Sequence, residues 1–283
     1  MASVFIAGPA AWNRIVVLDR LPEPVPHMQF AEESWETVGG TSAGKALSLA
    51  SLGRSVQLHA EAGRDEDGRR VRDALHAAGV PVRWTDGVTE RHLNLMTREG
   101  ERVSLYLSTP VARWYDDDTT VRADMASADA VVLDLAAEPL RMLPLARESG
   151  TPVWVDVHDY DGAAAYHQHF LAAADVVFCN ADRLRDPVEF LRSRLAAGAS
   201  LAVCTLGAEG AVAVAADGTE LRVPAVPTQV VDTNGAGDAF LAGVLDAQLR
   251  GADLRAALEA GARAASTVLG TRHLHPLLDA AGV

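Results

Sequence analysis

The chain has 283 residues, of which 49% are hydrophobic, and carries a formal net charge of −13 at pH 7. This length can bury a large core, as one big domain or as one domain with a small appendage. The negative charge argues against nucleic acid or an anionic membrane as the main partner, so the charge of any polyanionic ligand must be met locally.

Two further features of the composition bear on the compartment. Cys179 and Cys204 each end an apolar run, which indicates buried strand thiols rather than a disulfide framework, and a reducing cytoplasm is expected. The sequence shows no cationic-then-apolar leader and no uninterrupted apolar run long enough to cross a bilayer. We therefore expect a soluble, cytoplasmic protein without a membrane partner.

The first predicted strand, at residues 4–7, runs into a turn at Gly8. A dinucleotide-binding fingerprint needs three glycines at such a turn and only one is present, so a Rossmann reductase is disfavoured. Asn13 lies five residues after this glycine, and a proline-rich stretch at residues 22–26 predicts a loop.

A second glycine turn, Gly39-Gly40, leads into a predicted helix that stops at Gly53 and has Lys45 in its first turn. The turn either starts an ordinary helix with an exposed lysine or places the two glycines and Lys45 beside a ligand. We hypothesise that Asn13 and Lys45, both at glycine-flanked strand ends, contact an acceptor substrate together with Gly39 and Gly40.

Further along, strand-like and helix-like segments alternate. Strands are predicted at residues 56–60, 131–133, 153–155, 176–179 and 201–204, and helices at residues 71–78, from Asp186 onward and at about 253–269. Such alternation implies a mostly parallel sheet covered on both faces, with ligands bound at the carboxyl ends of the strands. His158, which follows the strand at residues 153–155, is interpreted as a solvated or core residue, because no metal-ligand spacing recurs.

The pattern changes between residues 91 and 108. Apolar residues alternate with polar ones on both sides of a Glu99-Gly100 turn, which predicts a two-stranded hairpin. One face of this hairpin is apolar and needs cover, so we expect a lid, a homodimer contact or both. A second hairpin is predicted around Asp217-Gly218.

The chemistry is expected in the run Asp232-Thr233-Asn234-Gly235-Ala236-Gly237-Asp238. Apolar positions at helical spacing follow it, so the turn Gly235-Ala236-Gly237 opens a helix whose free N–H groups suit an anion such as phosphate. A carboxylate at Asp238 would repel that anion, unless it takes a proton from a hydroxyl that attacks the phosphate. We expect its side chain to face solvent in the empty pocket. The alternative is a capped glycine-rich turn in which Asp238 merely suits the first helical turn.

Together with the Gly39-Gly40 turn and Thr205-Leu206-Gly207, in this order, that run resembles the ribokinase (PfkB) family of carbohydrate kinases. The resemblance spans residues 4–269. It implies one three-layer α/β domain over residues 1–283, with a mostly parallel central sheet, helices on both faces and a small β-lid at about residues 91–108. It also implies phosphorylation of an alcohol group on a sugar or nucleoside, with ATP as co-substrate and Mg²⁺.

The resemblance also assigns roles to single residues. Asp238 would match the catalytic base of the family, and the N–H groups of Gly235, Ala236 and Gly237 its anion hole. Asp232 would match a position that in some members helps to hold a monovalent cation such as K⁺. The nucleotide side would be formed by Asn180, Thr205, Gly207 and Gly210. Mg²⁺ would arrive with the nucleotide and its waters, since the sequence has no dense carboxylate cluster.

Four positions depart from the family pattern. Asn13 stands where many sugar kinases have an aspartate, and Gly44 replaces the asparagine of the double-glycine motif. The motif of Asn followed three residues later by Glu reads Asn180-Ala181-Asp182-Arg183. The Mg²⁺-linked carboxylate is therefore missing or displaced to Asp182. Ala262 stands where members often place a polar residue near the base.

We interpret the sequence as that of an ATP-dependent sugar kinase. One alternative is a nucleoside kinase on the same scaffold, whose pocket would stack an aromatic side chain on a base. The other is a catalytically weak sugar-binding or regulatory protein, which Gly44 and Arg183 favour and an intact Asp238 opposes.

Overall fold

The computed structural model describes residues 2–111 and 118–283. Over these residues, strands and helices alternate as the sequence predicts. The strands are β1 (Ser3–Ala7), β2 (Ala11–Leu18), β3 (Glu33–Gly39), β4 (Ser55–Ala62), β5 (Val82–Asp86), β6 (Glu90–Thr97), β7 (Arg102–Ser108), β8 (Ala130–Leu133), β9 (Val153–Asp156), β10 (Val176–Asn180), β11 (Leu201–Thr205), β12 (Ala211–Ala215) and β13 (Glu220–Val223). The α-helices are α1 (Thr41–Ser51), α2 (Glu66–Ala77), α3 (Thr119–Ser127), α4 (Ala137–Ser149), α5 (Ala165–Ala173), α6 (Pro187–Ala196), α7 (Ala236–Leu249), α8 (Leu254–Leu269) and α9 (Pro276–Ala281).

The large sheet has the strand order β13-β12-β11-β10-β9-β8-β1-β4-β5. The strands from β11 to β5 in this order pair in parallel, whereas β12 and β13 extend one edge as the antiparallel hairpin predicted around Asp217-Gly218. The predicted mostly parallel sheet is therefore confirmed.

Both faces of this sheet are buried, as expected for a parallel sheet between two helical layers. Along β1, Val4 and Ile6 join a cluster with α1, α2, α7 and α8, whereas Phe5 and Ala7 join a second cluster with α3 to α6. Cys179 and Cys204 are buried and free, as predicted. No helix in the described part of the chain combines the length and the apolarity needed to span a membrane.

A second, small sheet has the strand order β3-β2-β6-β7. The predicted hairpin forms its β6 and β7, with Leu93 opposite Leu105 and Leu95 opposite Val103. Strands β2 and β3 are not predicted from the sequence, because they are separated by a long loop and gain their partners only in the folded protein. Asn13 consequently lies within β2 rather than in the turn after β1.

The glycine turns bring two helix N-termini to the carboxyl edge of the large sheet. Helix α1 begins directly after Gly40, whose φ is 94°, and a Cβ there would lie 2.4 Å from the carbonyl oxygen of Pro9. Helix α7 begins directly after Gly235, whose φ is 78°. Only glycine adopts such a backbone without strain, so both helix starts depend on these residues.

Candidate active site

The first turn of α7 is open to a ligand. Gly235 makes no side-chain cap and Gly237 is exposed, so the N–H groups of these two residues remain available, whereas the N–H of Ala236 makes a long hydrogen bond to the carbonyl oxygen of Thr233 at 3.5 Å. A Cβ placed on Gly237 would meet no atom within 4 Å, so there is open space beside this turn. This geometry suits the anion hole predicted for Gly235-Ala236-Gly237.

Beside this turn, the carboxylate of Asp238 belongs to a buried ionic cluster around Lys45. Lys45 Nζ lies 2.6 Å from Asp238 Oδ1, 2.8 Å from Asp134 Oδ1 and 3.6 Å from Asp156 Oδ2. Ser42 Oγ donates a hydrogen bond to Asp134 Oδ2 at 2.6 Å. The cluster thus joins α1, the residue after β8, the end of β9 and the first turn of α7.

The burial of this cluster corrects two expectations. The sequence leaves Lys45 as either an exposed lysine at an ordinary helix start or a contact to the acceptor, but its side chain is 0% exposed and is enclosed by the three carboxylates rather than directed at an acceptor. Asp238 is expected to face solvent, but its side chain is only 8% exposed. Both side chains are covered because α1 packs directly against α7, a contact between segments that are far apart in the chain.

Burial and charge together determine the protonation of the cluster. Burial raises the pKa of Asp238 to about 6, although Lys45 and His158 act to lower it. Burial alone would lower the pKa of Lys45, but the carboxylates of Asp134, Asp238 and Asp156 outweigh it and raise that pKa. Burial also opposes ionisation of Asp156, yet His158 and Lys45 lower the pKa of this carboxyl group. At neutral pH the cluster therefore holds a charged lysine and an ionised Asp238 that can accept a proton.

His158, interpreted from the sequence as a solvated or core residue, lies beside the ionic cluster. It is the one non-glycine residue with a positive φ, 50°, within residues 2–111 and 118–283. Its N–H donates to Asp156 Oδ1 at 2.9 Å, and its Nδ1 lies 3.4 Å from Asp156 Oδ2. A left-handed backbone is costly for a side-chain-bearing residue, and such residues occur in turns and cluster at active sites, so His158 is a candidate residue of the site.

One face of the small sheet is turned toward the loop that precedes α7. On this face, Met96 Sδ accepts a hydrogen bond from Asn234 Nδ2 at 3.5 Å. Asn13 and Asn94 lie on the same face, and their side-chain oxygens are buried without a hydrogen-bond partner among the described residues. Buried amide oxygens without a partner are rare in proteins, so a ligand or water is expected to satisfy them.

Two glycines make room for polar side chains of the site. A Cβ on Gly39 would lie 2.1 Å from Asn13 Nδ2, and a Cβ on Gly44 would lie 2.8 Å from Asp238 Oδ2. Glycine at position 44, where the family pattern has asparagine, therefore fits this structure, because Asp238 occupies the space that a larger side chain would take.

The residues predicted to bind the nucleotide lie along the same edge of the large sheet. Asn180 ends β10 and Thr205 ends β11, and the two are paired in register. Gly207 and Gly210 have positive φ values of 57° and 95°, and a Cβ on Gly210 would lie 2.0 Å from the carbonyl oxygen of Val223. This arrangement brings the four residues together, and their contact with ATP stays a prediction.

The predicted cation ligands do not form a preassembled metal centre. Within the described ranges, no group of three or more His, Cys, Asp or Glu side chains is arranged to hold a metal ion. Asp182 is exposed, and its N–H donates to Asn180 Oδ1 at 3.1 Å. Asp232 is buried, and its Oδ1 accepts hydrogen bonds from Asn234 N and Nδ2 at 2.8 and 2.7 Å. The assignments of Asp182 to Mg²⁺ and of Asp232 to a monovalent cation stay predictions.

The positions of Asp134, Asp156 and His158 could have been predicted in part from the sequence. Asp134 directly follows the buried apolar strand β8, Asp156 ends β9 after three buried apolar residues, and His158 comes two residues after Asp156. The carboxyl ends of neighbouring parallel strands meet at one edge, so two such carboxylates are expected to lie close together. Nothing in the local sequence indicates that Lys45 joins them.

The chain is similar to carbohydrate and nucleoside kinases over almost its whole length. The sequence model described as pfkB family carbohydrate kinase matches residues 5–279. An acarbose 7(IV)-phosphotransferase from Actinoplanes sp. is 31% identical over 284 residues, covering 95% of this chain and 93% of that protein. A nucleoside kinase from Methanothermobacter thermautotrophicus is 28% identical over 266 residues, covering 88% of this chain and 83% of that protein. The solved structure of the microbiome-derived acarbose kinase Mak1 has a TM-score of 0.84 and 31% identity, and covers 100% of this chain and 99% of that chain.

Proposed function

This chain belongs to the pfkB family of carbohydrate kinases, and from that premise we propose that it transfers the γ-phosphoryl group of ATP to a hydroxyl group of a sugar. The observation that carries the proposal is the position of Asp238, directly after the exposed Gly237 in the first turn of α7 and within the ionic cluster. A carboxylate beside an anion site is electrostatically unfavourable, and a chemical task accounts for its presence there.

In the proposed reaction, Asp238 takes the proton of the acceptor hydroxyl as the hydroxyl oxygen attacks the γ-phosphorus. The bond between the γ-phosphorus and the β,γ-bridging oxygen breaks, ADP leaves with its electron pair, and Asp238 releases the proton to water. The N–H groups of Gly235-Ala236-Gly237 stabilise the negative charge on the transferred group. Positioning and charge neutralisation supply most of the rate enhancement in such reactions.

ATP would lie along the strip of Asn180, Thr205, Gly207 and Gly210, where small residues let the nucleotide approach the backbone. We expect Mg²⁺ to arrive with ATP, since the described residues hold no preassembled carboxylate cage. Asp182 is an exposed carboxylate on this side of the site, as is Glu209, and Asp182 would reach the ion through water. A monovalent cation, if the reaction requires one, would be held near Asp232.

The acceptor would lie between the small sheet and Asp238. The unpartnered oxygens of Asn13 and Asn94 support a hydroxyl-rich acceptor such as a sugar, because hydroxyl groups would donate to them. A nucleoside acceptor remains the second candidate, since the rings of His92 and Tyr106 lie 4.0 Å apart on the same sheet and offer an aromatic surface for a base.

The test of the proposed function is a screen of common sugars, acarbose and nucleosides by coupled ADP release. Sugar-dependent ADP formation that is absent in Asp238→Asn supports a sugar kinase, and turnover of nucleosides alone supports the second candidate. No acceptor-dependent ADP formation with any compound would favour a sugar-binding or regulatory protein.

Asn94→Ala should raise the KM for the acceptor by about 3- to 10-fold, the range for losing one hydrogen bond, while the KM for ATP stays unchanged. Asn13→Ala should act in the same direction. Arg14→Ala is the matched control, because Arg14 follows Asn13 in β2 but is exposed and pairs with Glu36. Steady-state kinetics with each substrate varied separately measures the effect, and an unchanged acceptor KM in both asparagine variants would remove these residues from the acceptor site.

The small sheet is proposed to act as a lid and a dimer contact. Its inner side reaches the loop before α7, where Arg102 donates a hydrogen bond to Asn234 Oδ1. Its outer side exposes apolar residues, among them Leu105 at 44% and Leu107 at 60%. Exposed apolar faces of this kind commonly mark protein contacts.

Leu105→Asp should therefore convert a dimer into a monomer, because it places a charge in the apolar contact. Light scattering of the wild type and the variant at equal concentration measures the change. A monomeric wild-type protein would exclude the dimer contact and leave the lid as the role of the sheet.

A further inference from the structure

Lys45 is the only lysine in the chain, and it is fully buried at the carboxyl edge of the large sheet. A buried ammonium group is strongly disfavoured unless carboxylates pair with it, as Asp134, Asp156 and Asp238 do here. Replacing buried ion pairs by apolar residues is often neutral or stabilising in proteins, so stability alone does not account for this lysine. Its shortest contact, 2.6 Å, is to the proposed base.

The two oxygens of Asp238 have different surroundings. Oδ1 accepts a hydrogen bond from Lys45 Nζ, whereas Oδ2 lies beside Gly44, where a Cβ would come within 2.8 Å of it. Gly44 and Lys45 are consecutive in α1, so one turn of this helix anchors Oδ1 through the ammonium group and makes room for Oδ2, because Gly44 carries no side chain.

We propose that Lys45 is a positioning residue for Asp238, which anchors Oδ1 and keeps the carboxylate ionised so that Oδ2 is presented to the acceptor hydroxyl. The inference rests on the proposed function of Asp238 as the base. The proton moves from the hydroxyl to Oδ2, and Lys45 keeps its own proton throughout.

Some of the groups that face Asp238 favour ionisation of its carboxyl group, and others oppose it. Burial disfavours the ionised carboxylate most strongly and raises the pKa of Asp238 to about 6. Lys45 of α1 and His158 after β9 favour the ionised form, whereas Asp134 after β8 disfavours it. Asp156 at the end of β9 faces the same ammonium group and competes for it. Removing the charge of Lys45 should therefore raise the pKa of Asp238, and removing the charge of Asp134 should lower it.

The first test is the pH dependence of kcat/KM in Lys45→Met and Asp134→Asn. The reaction needs ionised Asp238, so wild-type kcat/KM should rise with pH and reach half its plateau at about pH 6. Lys45→Met should move this midpoint upward by about 1 to 3 pH units, the range for losing an adjacent opposite charge. Asp134→Asn should move the midpoint downward.

A general loss of packing does not move one midpoint upward and the other downward. The same midpoint in all three proteins would overturn the inference.

The second test uses the single lysine. Labelling with carbon-13 lysine gives a spectrum in which each side-chain signal comes from Lys45, so NMR follows its surroundings in the folded protein without an activity assay. In the wild type the terminal side-chain signal should shift with a midpoint at about pH 6, as Asp238 ionises. This pH-dependent shift of the Lys45 signal should be absent in Asp238→Asn, and a shift with the same midpoint in that variant would overturn the inference. This measurement decides the question even where Lys45→Met does not fold.

The outcomes also separate this inference from the proposed function. An inactive Asp238→Asn with unmoved midpoints in the other two variants would keep the kinase mechanism and remove the role of Lys45. An Asp238→Asn variant with near wild-type turnover would remove the mechanism and the inference together.

Discussion

Asp238→Asn is expected to lower kcat by about a hundredfold or more, the lower range for loss of a positioned general base. Asparagine keeps the shape of the side chain and can still accept a hydrogen bond from Lys45 through its oxygen, but it cannot take the proton of the acceptor. ATP affinity should be unchanged or slightly higher, because one negative charge near the phosphates is removed. Single-turnover rates and ATP binding measured on the same protein separate the two effects.

The stability of this variant tests the burial of Asp238. Because the pKa of Asp238 is raised to about 6 in the folded protein, its contribution to stability is present at low pH and is lost as pH rises through about 6. Asp238→Asn removes this loss. The melting temperature of the variant, relative to that of the wild type, should therefore rise as the pH is raised from 4 to 7. Burial favours the protonated form of Asp238, so keeping this proposed base ionised at neutral pH costs stability, as is common for residues at functional sites.

Asp253→Asn is the matched control for Asp238→Asn. Asp253 also lies at a helix start, where its side chain accepts a hydrogen bond from the N–H of Ala256 as the N-cap of α8. It lies outside the ionic cluster, so its variant should keep wild-type turnover. A folded Asp238→Asn enzyme with near wild-type turnover would refute the proposed mechanism.

Gly235→Ala is expected to lower kcat by about 10²- to 10³-fold, the range for losing a donor of an oxyanion hole. Gly235 has a φ of 78°, and a Cβ there would lie 2.8 Å from Leu274 Cδ1 and 3.0 Å from the carbonyl oxygen of Leu274. The backbone must shift to relieve this contact, and the shift displaces the N–H groups that follow it. Displacements of about 1 Å at a reacting centre are enough for losses of this size.

Gly251→Ala separates this effect from ordinary backbone strain. Gly251 lies just beyond the C-terminus of α7 with a φ of 79°, nearly that of Gly235, but a Cβ there meets nothing within 4 Å. Both variants should lose stability through the left-handed backbone, by about 1 to 2 kcal/mol, while only Gly235→Ala loses activity. Melting temperatures and kcat for the pair measure this, and equal losses of activity would show that the N–H groups of α7 hold no phosphoryl group.

Several features of this protein can be predicted from single stretches of the sequence. The alternation of strands and helices predicts the mostly parallel sheet, because burial on both faces imposes apolar runs on the strands and a 3.6-residue period on the helices. The hairpin of β6 and β7 follows from period-two alternation around Glu99-Gly100. The helix start at Gly235 and the place of Asp238 in its first turn follow from local backbone rules.

The tertiary structure alone decided which side chains meet. Lys45 and Asp238 are 193 residues apart, and their contact exists because α1 and α7 pack side by side on one face of the sheet. Asp134 and Asp156 reach the same ammonium group because β8 and β9 are neighbours in the sheet. Strand β2 likewise forms between β3 and β6 in the small sheet, and β3 pairs only with β2 among the described strands. Local periodicity shows which face of an element is buried, but not what lies against that face. The sequence therefore predicts Asp238 as the candidate base, while the packing of distant elements determines that Lys45 is buried against it.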